Sequence, residues 1–239
     1  MKLSAPIYRL KRQAKNLSRI ENIPLHTALD RIAAKEGFVR WSLLAAKLSA
    51  ESPARTLLNQ LVPGDLLLLG ARPGHGKTQL GLELTVEAMK LGRRGIFFTL
   101  EYGVADILDL FKRIGADPAV FRDAFEFDAS DAISAEYMMD RLATVPVGTV
   151  TIVDYLQILD QKRQNPELMV QVQDLKAFAS DRGLILVFTS QIDRSFDSSA
   201  GICPDLSHVR LPNPLDLKLF DQACFLHNGE LTLVTPKSS

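Results

Sequence analysis

The sequence contains only two cysteines, Cys203 and Cys224, among its 239 residues. Their separation fits neither a metal-ligand spacing nor a disulfide framework, so both are predicted to be thiols that fill the core. The first residues lack the apolar stretch of a secretory signal, and no later run approaches the length of a membrane span. These absences favour a protein of the reducing cytoplasm that does not enter a membrane.

The chain also lacks net charge, because 28 Lys and Arg balance 28 Asp and Glu. The positive and negative charges are nevertheless distributed unevenly along the chain. Residues 1–55 contain 11 Lys or Arg and 4 Asp or Glu, which leaves +7 on this segment and −7 on the remainder. A basic segment of this kind is compatible with contact to nucleic acid, and it is equally compatible with ordinary solvated helices.

Residues 7–50 show the apolar spacing of short helices, with Ile7, Leu10 and Ala14 on one face and Gly37 as a stop signal. The pattern predicts a helical N-terminal module over residues 1–55, whose protein partner is not identified by the sequence. A linker rich in small and polar residues, Ser49 to Thr56, is predicted to connect this module to a second domain over residues 56–239.

The second domain alternates short apolar runs with amphipathic helices, the pattern of βα units around a parallel sheet buried on both faces. Helices are predicted between the runs, one of them capped by Asn165 and ended by Gly183. Asn228-Gly229 predicts a hairpin near the end of the chain. The fold class is therefore α/β, a mainly parallel central sheet flanked by helices. The predicted central strands lie at 66–69, 96–99, 150–153 and 184–189.

The segment between the first strand and the next helix has the composition of a phosphate-binding loop. Its backbone N–H groups and the helix N-terminus would point at phosphate oxygens, Lys77 would reach the β and γ phosphates, and Thr78 would offer a hydroxyl to Mg²⁺. The strict pattern has glycine where Ala71 stands. The predicted ATP-binding residues are Gly70, Ala71, Arg72, Pro73, Gly74, His75, Gly76, Lys77, Thr78 and Gln79.

Three further strand ends carry polar side chains with predicted roles beside this loop. Asp154, at the carboxyl end of the third central strand, would hold the magnesium shell together with Thr78. Glu101 is the candidate general base that orients a water for attack on the γ-phosphate, with an exposed acidic strand end as the alternative. Gln191 would sense the γ-phosphate, with a simple polar strand end as the alternative.

Several cations lie in the loops that follow these strands. Lys162 and Arg163 follow the Asp154 strand, and Arg194 and Arg210 flank the loop after Gln191. They are predicted to contact single-stranded DNA. Because Phe196 is the only aromatic residue in the second loop, such binding would be electrostatic and sensitive to salt. Solvated loops remain the alternative.

Several short motifs, in their order and spacing, resemble the ATPase domain of DnaB-type replicative helicases over about residues 57–227. The motifs are Gly70-Ala-Arg-Pro with Gly-Lys-Thr78, Leu100-Glu101, Asp154-Tyr-Leu-Gln157, Ser190-Gln191 with Arg194, and Asp221-Gln-Ala223. The resemblance implies a RecA-like P-loop fold, ATP and Mg²⁺ as cofactors, a homo-oligomer with a hexameric ring as one form, and single-stranded DNA in a central channel.

The chain departs from that family at both ends. The family's N-terminal domain is replaced by unlike sequence, and the basic segment that supplies an arginine finger is reduced to Lys237. Slow intrinsic hydrolysis is therefore expected unless another arginine substitutes. The departures favour an alternative, a nucleotide-switched oligomeric regulator without helicase activity. A small-molecule phosphotransferase is a third interpretation, and no arginine-rich lid near an acceptor site supports it.

Overall fold

The computed structural model describes residues 3–5, 7–50, 52–193, 196, 203–211, 213–227 and 230–236. Three helices form the N-terminal part: α1 (Ile7–Glu21), α2 (Leu25–Lys35) and α3 (Trp41–Ala50). Their own small core is apolar, which is why they pack together, and it contains Leu10, Ala14, Ala28 and Ile32. Gly37 follows α2 with φ of 85°, as the stop signal predicted.

A fourth helix, α4 (Pro53–Leu58), begins inside the predicted linker. Ala54, Leu57 and Leu58 are buried against the second domain and belong to its core. Part of the predicted linker, from Pro53 to Thr56, is thus helical, because the apolar side chains of α4 pack on α5 (Lys77–Lys90). The division of the chain at residue 55 stays a prediction, and it falls within α4.

The second domain is one seven-stranded sheet in the described part of the chain, with the order β3-β2-β4-β5-β1-β6-β7. All neighbouring pairs are parallel except β6 and β7, which form an antiparallel hairpin whose predicted turn, Asn228-Gly229, lies outside the described residues. The strands are β1 (Leu66–Ala71), β2 (Gly95–Thr99), β3 (Phe125–Asp128), β4 (Val150–Asp154), β5 (Ile185–Gln191), β6 (Gln222–His227) and β7 (Glu230–Val234).

Helices cover both faces of this sheet, as the continuous apolar runs predicted. Leu67 and Leu69 of β1 face the layer of α4, α5 and α6 (Val104–Arg113), whereas Leu66 and Leu68 face α7 (Ala135–Leu142) and α8 (Leu168–Arg182). The alternation follows from the two-residue period of a strand, and it gives each face its own core.

Two local predictions differ from the structure. Strand β3 was not predicted, because its short sequence Phe-Glu-Phe-Asp has polar residues at alternate positions and lies at the sheet edge beside β2. Helix α8 begins at Leu168 after Glu167, not after Asn165. The Asn165 amide instead donates to the carbonyl of Leu159 at 3.0 Å, which closes the preceding loop. Gly183 ends α8 with φ of 64°, as predicted.

Candidate functional site

The carboxyl ends of the parallel strands bring the predicted site residues to one edge of the sheet. Thr99 of β2 pairs in register with Asp154 of β4, and Ala71 of β1 pairs with Gln191 of β5. Because β4 and β5 are also neighbours, the segments that follow β1, β2, β4 and β5 all start from this edge. A crevice at such an edge is where α/β sheets bind ligands.

The loop between β1 and α5 has the backbone of an anion-binding turn. Gly74 and Gly76 adopt φ of 78° and 90°, values that side chains disfavour, and His75 N–H donates to the Arg72 carbonyl at 3.1 Å. A Cβ built on Gly74 would meet nothing within 4 Å, so the turn borders open space at this residue. Helix α5 starts directly after Gly76, and its free N–H groups and dipole favour a phosphate there.

Gly70 and Ala71, at the start of the predicted loop, belong to the sheet. Both are the last residues of β1, and a Cβ on Gly70 would lie 2.7 Å from Cδ1 of Phe225 in the neighbouring strand β6. The glycine at this position allows β6 to place an aromatic ring beside the strand end. This contact explains why a glycine precedes Ala71 here without any reference to the ligand.

The carboxylate of Asp154 is fully buried and has three partners. Its Oδ2 accepts a hydrogen bond from Thr78 Oγ1 at 2.8 Å. Its Oδ1 accepts from Thr189 Oγ1 and lies 3.4 Å from Lys77 Nζ. A buried charge requires such compensation, since leaving it unpaired would cost several kcal/mol.

Lys77 connects two carboxylates. Besides its contact with Asp154, its Nζ lies 3.7 Å from Oε2 of Glu101 and 5.7 Å from the centre of the Tyr155 ring. Lys77 is buried, whereas the Glu101 side chain is 37% exposed, so the glutamate borders solvent where a water could approach. The Glu101 N–H donates to Thr99 Oγ1 at 3.0 Å, which fixes the strand end.

Gln191 and Arg210 line a cavity of about 210 Å³ together with Tyr155 and Gln157. The Arg210 backbone is held at both ends: its N–H donates to the Gln191 carbonyl at 2.9 Å, and its carbonyl accepts from Gln157 Nε2 at 2.9 Å. Tyr155 borders this cavity and also contacts Lys77, so the cavity adjoins the phosphate loop.

A larger cavity of about 550 Å³ is lined by residues of the β1–α5 loop and the first turns of α5. His75 and Gln79 lie on one wall, and apolar Leu226 and Leu231 of β6 and β7 lie on another. Glu83 is also in the wall; burial raises its pKa, although a hydrogen bond from Gln79 Nε2 at 2.9 Å opposes the shift. The mixed apolar and polar lining has the character of a pocket for a nucleoside.

The predicted nucleic-acid residues do not form one group. Lys162 and Arg163 line a cavity of about 580 Å³ after β4, and Lys162 Nζ lies 3.7 Å from Asp131. Arg210 lies in the separate cavity beside Gln191. Arg194 lies outside the described residues.

Sequence reasoning assigned no role to Thr189, whose hydroxyl donates to Asp154. A hydroxyl inside an apolar strand is a weak signal for such a contact, since the buried Thr151 hydroxyl of β4 has no hydrogen-bond partner within the described part of the chain. Tyr155 and Gln157 belong to the motif Asp154-Tyr-Leu-Gln157, but the sequence assigned them no contact, because their positions depend on how the chain turns after β4.

The donor set at the head of α5 fits magnesium. Among the described residues no cluster of three or more His, Cys, Asp or Glu could hold a metal by itself. The Thr78 hydroxyl and Asp154 carboxylate are hard oxygen donors that already face each other, and nucleotide-bound Mg²⁺ takes few protein ligands, the rest being phosphates and waters. These two side chains are sufficient for that mode of binding.

The mainly parallel sheet, its strand order and the glycine-rich loop between β1 and α5 are those of a RecA-like α/β fold. Two solved structures share it. The ATPase domain of the protein G-40-P superposes with a TM-score of 0.54 at 16% identity, covering 81% of this chain and 93% of that one. A KaiC-like protein from Pyrococcus horikoshii OT3 has a TM-score of 0.51 at 15% identity, covering 73% and 81%. At these identities the likeness concerns the fold alone.

A curated relative matches about half of the chain. The DNA repair and recombination protein RadB of Methanococcoides burtonii is 30% identical over 141 residues. The match covers 53% of this chain and 61% of RadB, so the chain spans less than two thirds of that protein. No family model matches the chain. No described helix has the length and apolar character needed to traverse a bilayer.

Proposed function

We propose that this protein binds ATP with Mg²⁺ and hydrolyses it. The observation that carries the proposal is the cluster at the head of α5, where Lys77 and Thr78 both contact the buried carboxylate of Asp154 below an open glycine turn. The turn and Lys77 would bind the phosphates, and Thr78 and Asp154 would hold Mg²⁺. The metal would neutralise charge on the phosphate oxygens.

Within this proposal, Glu101 and Gln191 at the other strand ends would have separate roles in hydrolysis. Glu101 would orient the attacking water as general base, because its side chain borders both solvent and the phosphate-binding lysine. Gln191 would contact the γ-phosphate, since it ends the strand next to Ala71. The wider loop residues, from Gly70 to Gln79, would position the nucleotide, with its nucleoside in the cavity beside His75 and Gln79.

We further propose that the protein is a motor of the DnaB type that assembles as a homo-oligomer and acts with single-stranded DNA in the cytoplasm. Lys162, Arg163, Arg194 and Arg210 would face the strand. The ordered motifs and the DNA-repair relative support this proposal. An exposed apolar pair on α6, Val104 and Leu108, lies close after Glu101 and supports contact with a neighbouring subunit at this edge.

A second candidate is a nucleotide-switched oligomeric regulator. It is favoured by the pairing of Lys162 with Asp131, which reduces the charge available to a DNA strand. It is also favoured by the N-terminal helices, which contact the ATPase domain through Lys11 and could transmit its nucleotide state to a partner.

Steady-state ATP hydrolysis with Mg²⁺, with and without single-stranded DNA, tests both candidates. Stimulation of about tenfold or more that decreases with added salt is expected for the motor. A low rate that DNA does not change, combined with ATP-dependent assembly in light scattering, would support the regulator. Failure to bind ATP would contradict both.

A further inference from the structure

Helix α1 carries an exposed row of cations on the side opposite its buried face. Leu10 and Ala14 point into the small core with α2 and are at most 1% exposed. With 100° between successive residues, the opposite side of α1 contains four basic side chains, all exposed. They are Arg9, Arg12, Lys15 and Arg19.

This basic face has no ion-pair partner within the described ranges of the chain. Among the described residues no carboxylate forms an ion pair with any of the four, whereas the exposed cations Lys112 and Arg141 of the ATPase domain each have one. The single acidic residue in α1 is Glu21, and it pairs with Arg31 of α2. The four cations of α1 are therefore exposed and have no ion-pair partner in the part of the chain that the structure describes.

The neighbouring Lys11 shows how concentrated this charge is. Its half-buried Nζ donates to the carbonyl of Gly115 at 2.6 Å, and its pKa is lowered by burial and then by the charges of Lys90 and Lys15. Lys90 is the last residue of α5, and Gly115 follows the end of α6. Both helices start at the carboxyl edge of the sheet and run back from it. Helix α1 is therefore attached at the opposite edge of the sheet, away from the loop before α5 and from Arg210.

We propose that the basic face of α1 is a nucleic-acid binding surface that contacts the sugar–phosphate backbone. From Arg9 to Arg19 the helix rises about 15 Å, which corresponds to about four phosphates along one strand. The face contains no carboxylate and includes Asn16, a neutral donor. Backbone contacts of this kind hold nucleic acid without reading its sequence.

An anionic membrane fits this helix less well. Helices that lie on a bilayer insert an apolar face, but the apolar face of α1 is buried against α2. Among the α1 side chains that the structure describes, Ile20 is the one exposed large apolar side chain near the cations. The surface is thus suited to a partner that needs charge and no apolar insertion.

The proposal goes beyond the ATPase activity, because binding at α1 needs no nucleotide. Fluorescence anisotropy of a labelled strand of about 30 nucleotides, and of the duplex of the same length, would measure affinity without ATP. The test variant combines Arg9→Gln, Arg12→Gln, Lys15→Gln and Arg19→Gln. The control removes four exposed charges from the ATPase domain, with Lys112→Gln, Arg113→Gln, Arg122→Gln and Lys218→Gln.

Four phosphate contacts contribute a slope of about −3 to log K against log salt, or about a 60-fold loss of affinity between about 50 and about 200 mM. The α1 variant should lose that part of the slope, and the control should keep it. The form with the tighter affinity, single strand or duplex, is the one that the basic face binds. Unchanged binding in the α1 variant, or equal loss in the control, would overturn the proposal, as would binding to anionic vesicles in place of DNA.

Two readouts separate this proposal from the proposed ATPase. ATP binding and the thermal unfolding midpoint should be unchanged in the α1 variant, because the substituted side chains are exposed and lie far from the phosphate loop. A protein that fails to bind ATP but binds DNA through α1 would contradict the proposed function and leave this inference standing.

Discussion

Lys77 is the side chain on which the proposed site most depends, because it contacts both Asp154 and Glu101. Lys77→Ala should lower ATP affinity by about 100-fold, from roughly 3 kcal/mol for lost charge-assisted hydrogen bonds. Equilibrium titration with a fluorescent ATP analogue measures this. Lys90→Ala, at the other end of α5, is the control and should bind normally; tight binding by Lys77→Ala would refute the loop assignment.

Glu101 separates binding from chemistry. Glu101→Gln keeps the size of the side chain and removes the base, so ATP should still bind while hydrolysis falls about 10²-fold or more. Single-turnover hydrolysis measures the chemical step directly. Glu136→Gln, the same change on the exposed side of α7, should have no effect. If Glu101→Gln still turns over at the original rate, another residue is the base.

The two cysteines should differ in reactivity. Burial, and then the nearby Cys203, raise the pKa of Cys224 to about 12, whereas Cys203 is half-buried. At pH 8 only about 10⁻⁴ of Cys224 is thiolate, so a thiol reagent should label Cys203 first and Cys224 only after denaturation. Rapid labelling of both in the native protein would contradict this.

The raised pKa of Cys224 also means that any stability from the protonated thiol is present below pH 9 and lost towards pH 12.

At the scale of elements, the contact between β1 and β6 places a strict limit on side-chain size. Gly70→Ala would bring a Cβ to 2.7 Å from Phe225, an overpacking that costs about 1–3 kcal/mol. The unfolding midpoint should fall accordingly. Gly103→Ala, whose Cβ would meet its first neighbour at 3.6 Å, is the control. If Gly70→Ala is as stable as the control, the strands have room to separate.

The elements themselves were largely predictable. The four central strands are continuous apolar runs that are buried on both faces of the sheet. The predicted and observed bounds of these strands therefore agree within two residues at every end. Strand β3 and the start of α8 were not predictable from local signals. Both depend on neighbours distant in sequence: β3 on the edge of β2, and Asn165 on a carbonyl of the preceding loop.

At the scale of the whole molecule, α4 decides where the second domain can be separated from the N-terminal helices. Removal of residues 1–51 keeps α4 and should leave a folded domain that binds ATP. Removal of residues 1–58 exposes the surface that Ala54, Leu57 and Leu58 cover, and should lower stability by several kcal/mol. Comparing denaturant unfolding of the two truncations measures the difference. Equal stability would place the boundary after α4.

The sequence by itself determined the central strands and the glycine turn before α5, and it predicted a site with Lys77, Thr78 and Asp154, because glycine spacing and apolar runs are local properties. Only the tertiary structure decided that Thr189 shares the carboxylate of Asp154, that Arg210 is held between Gln157 and Gln191, and that the cations of α1 have no counter-charge among the described residues. Each of these depends on which side chains from distant segments come within a few ångströms of one another. That proximity is set by strand order and helix packing, which residue spacing along one segment does not encode.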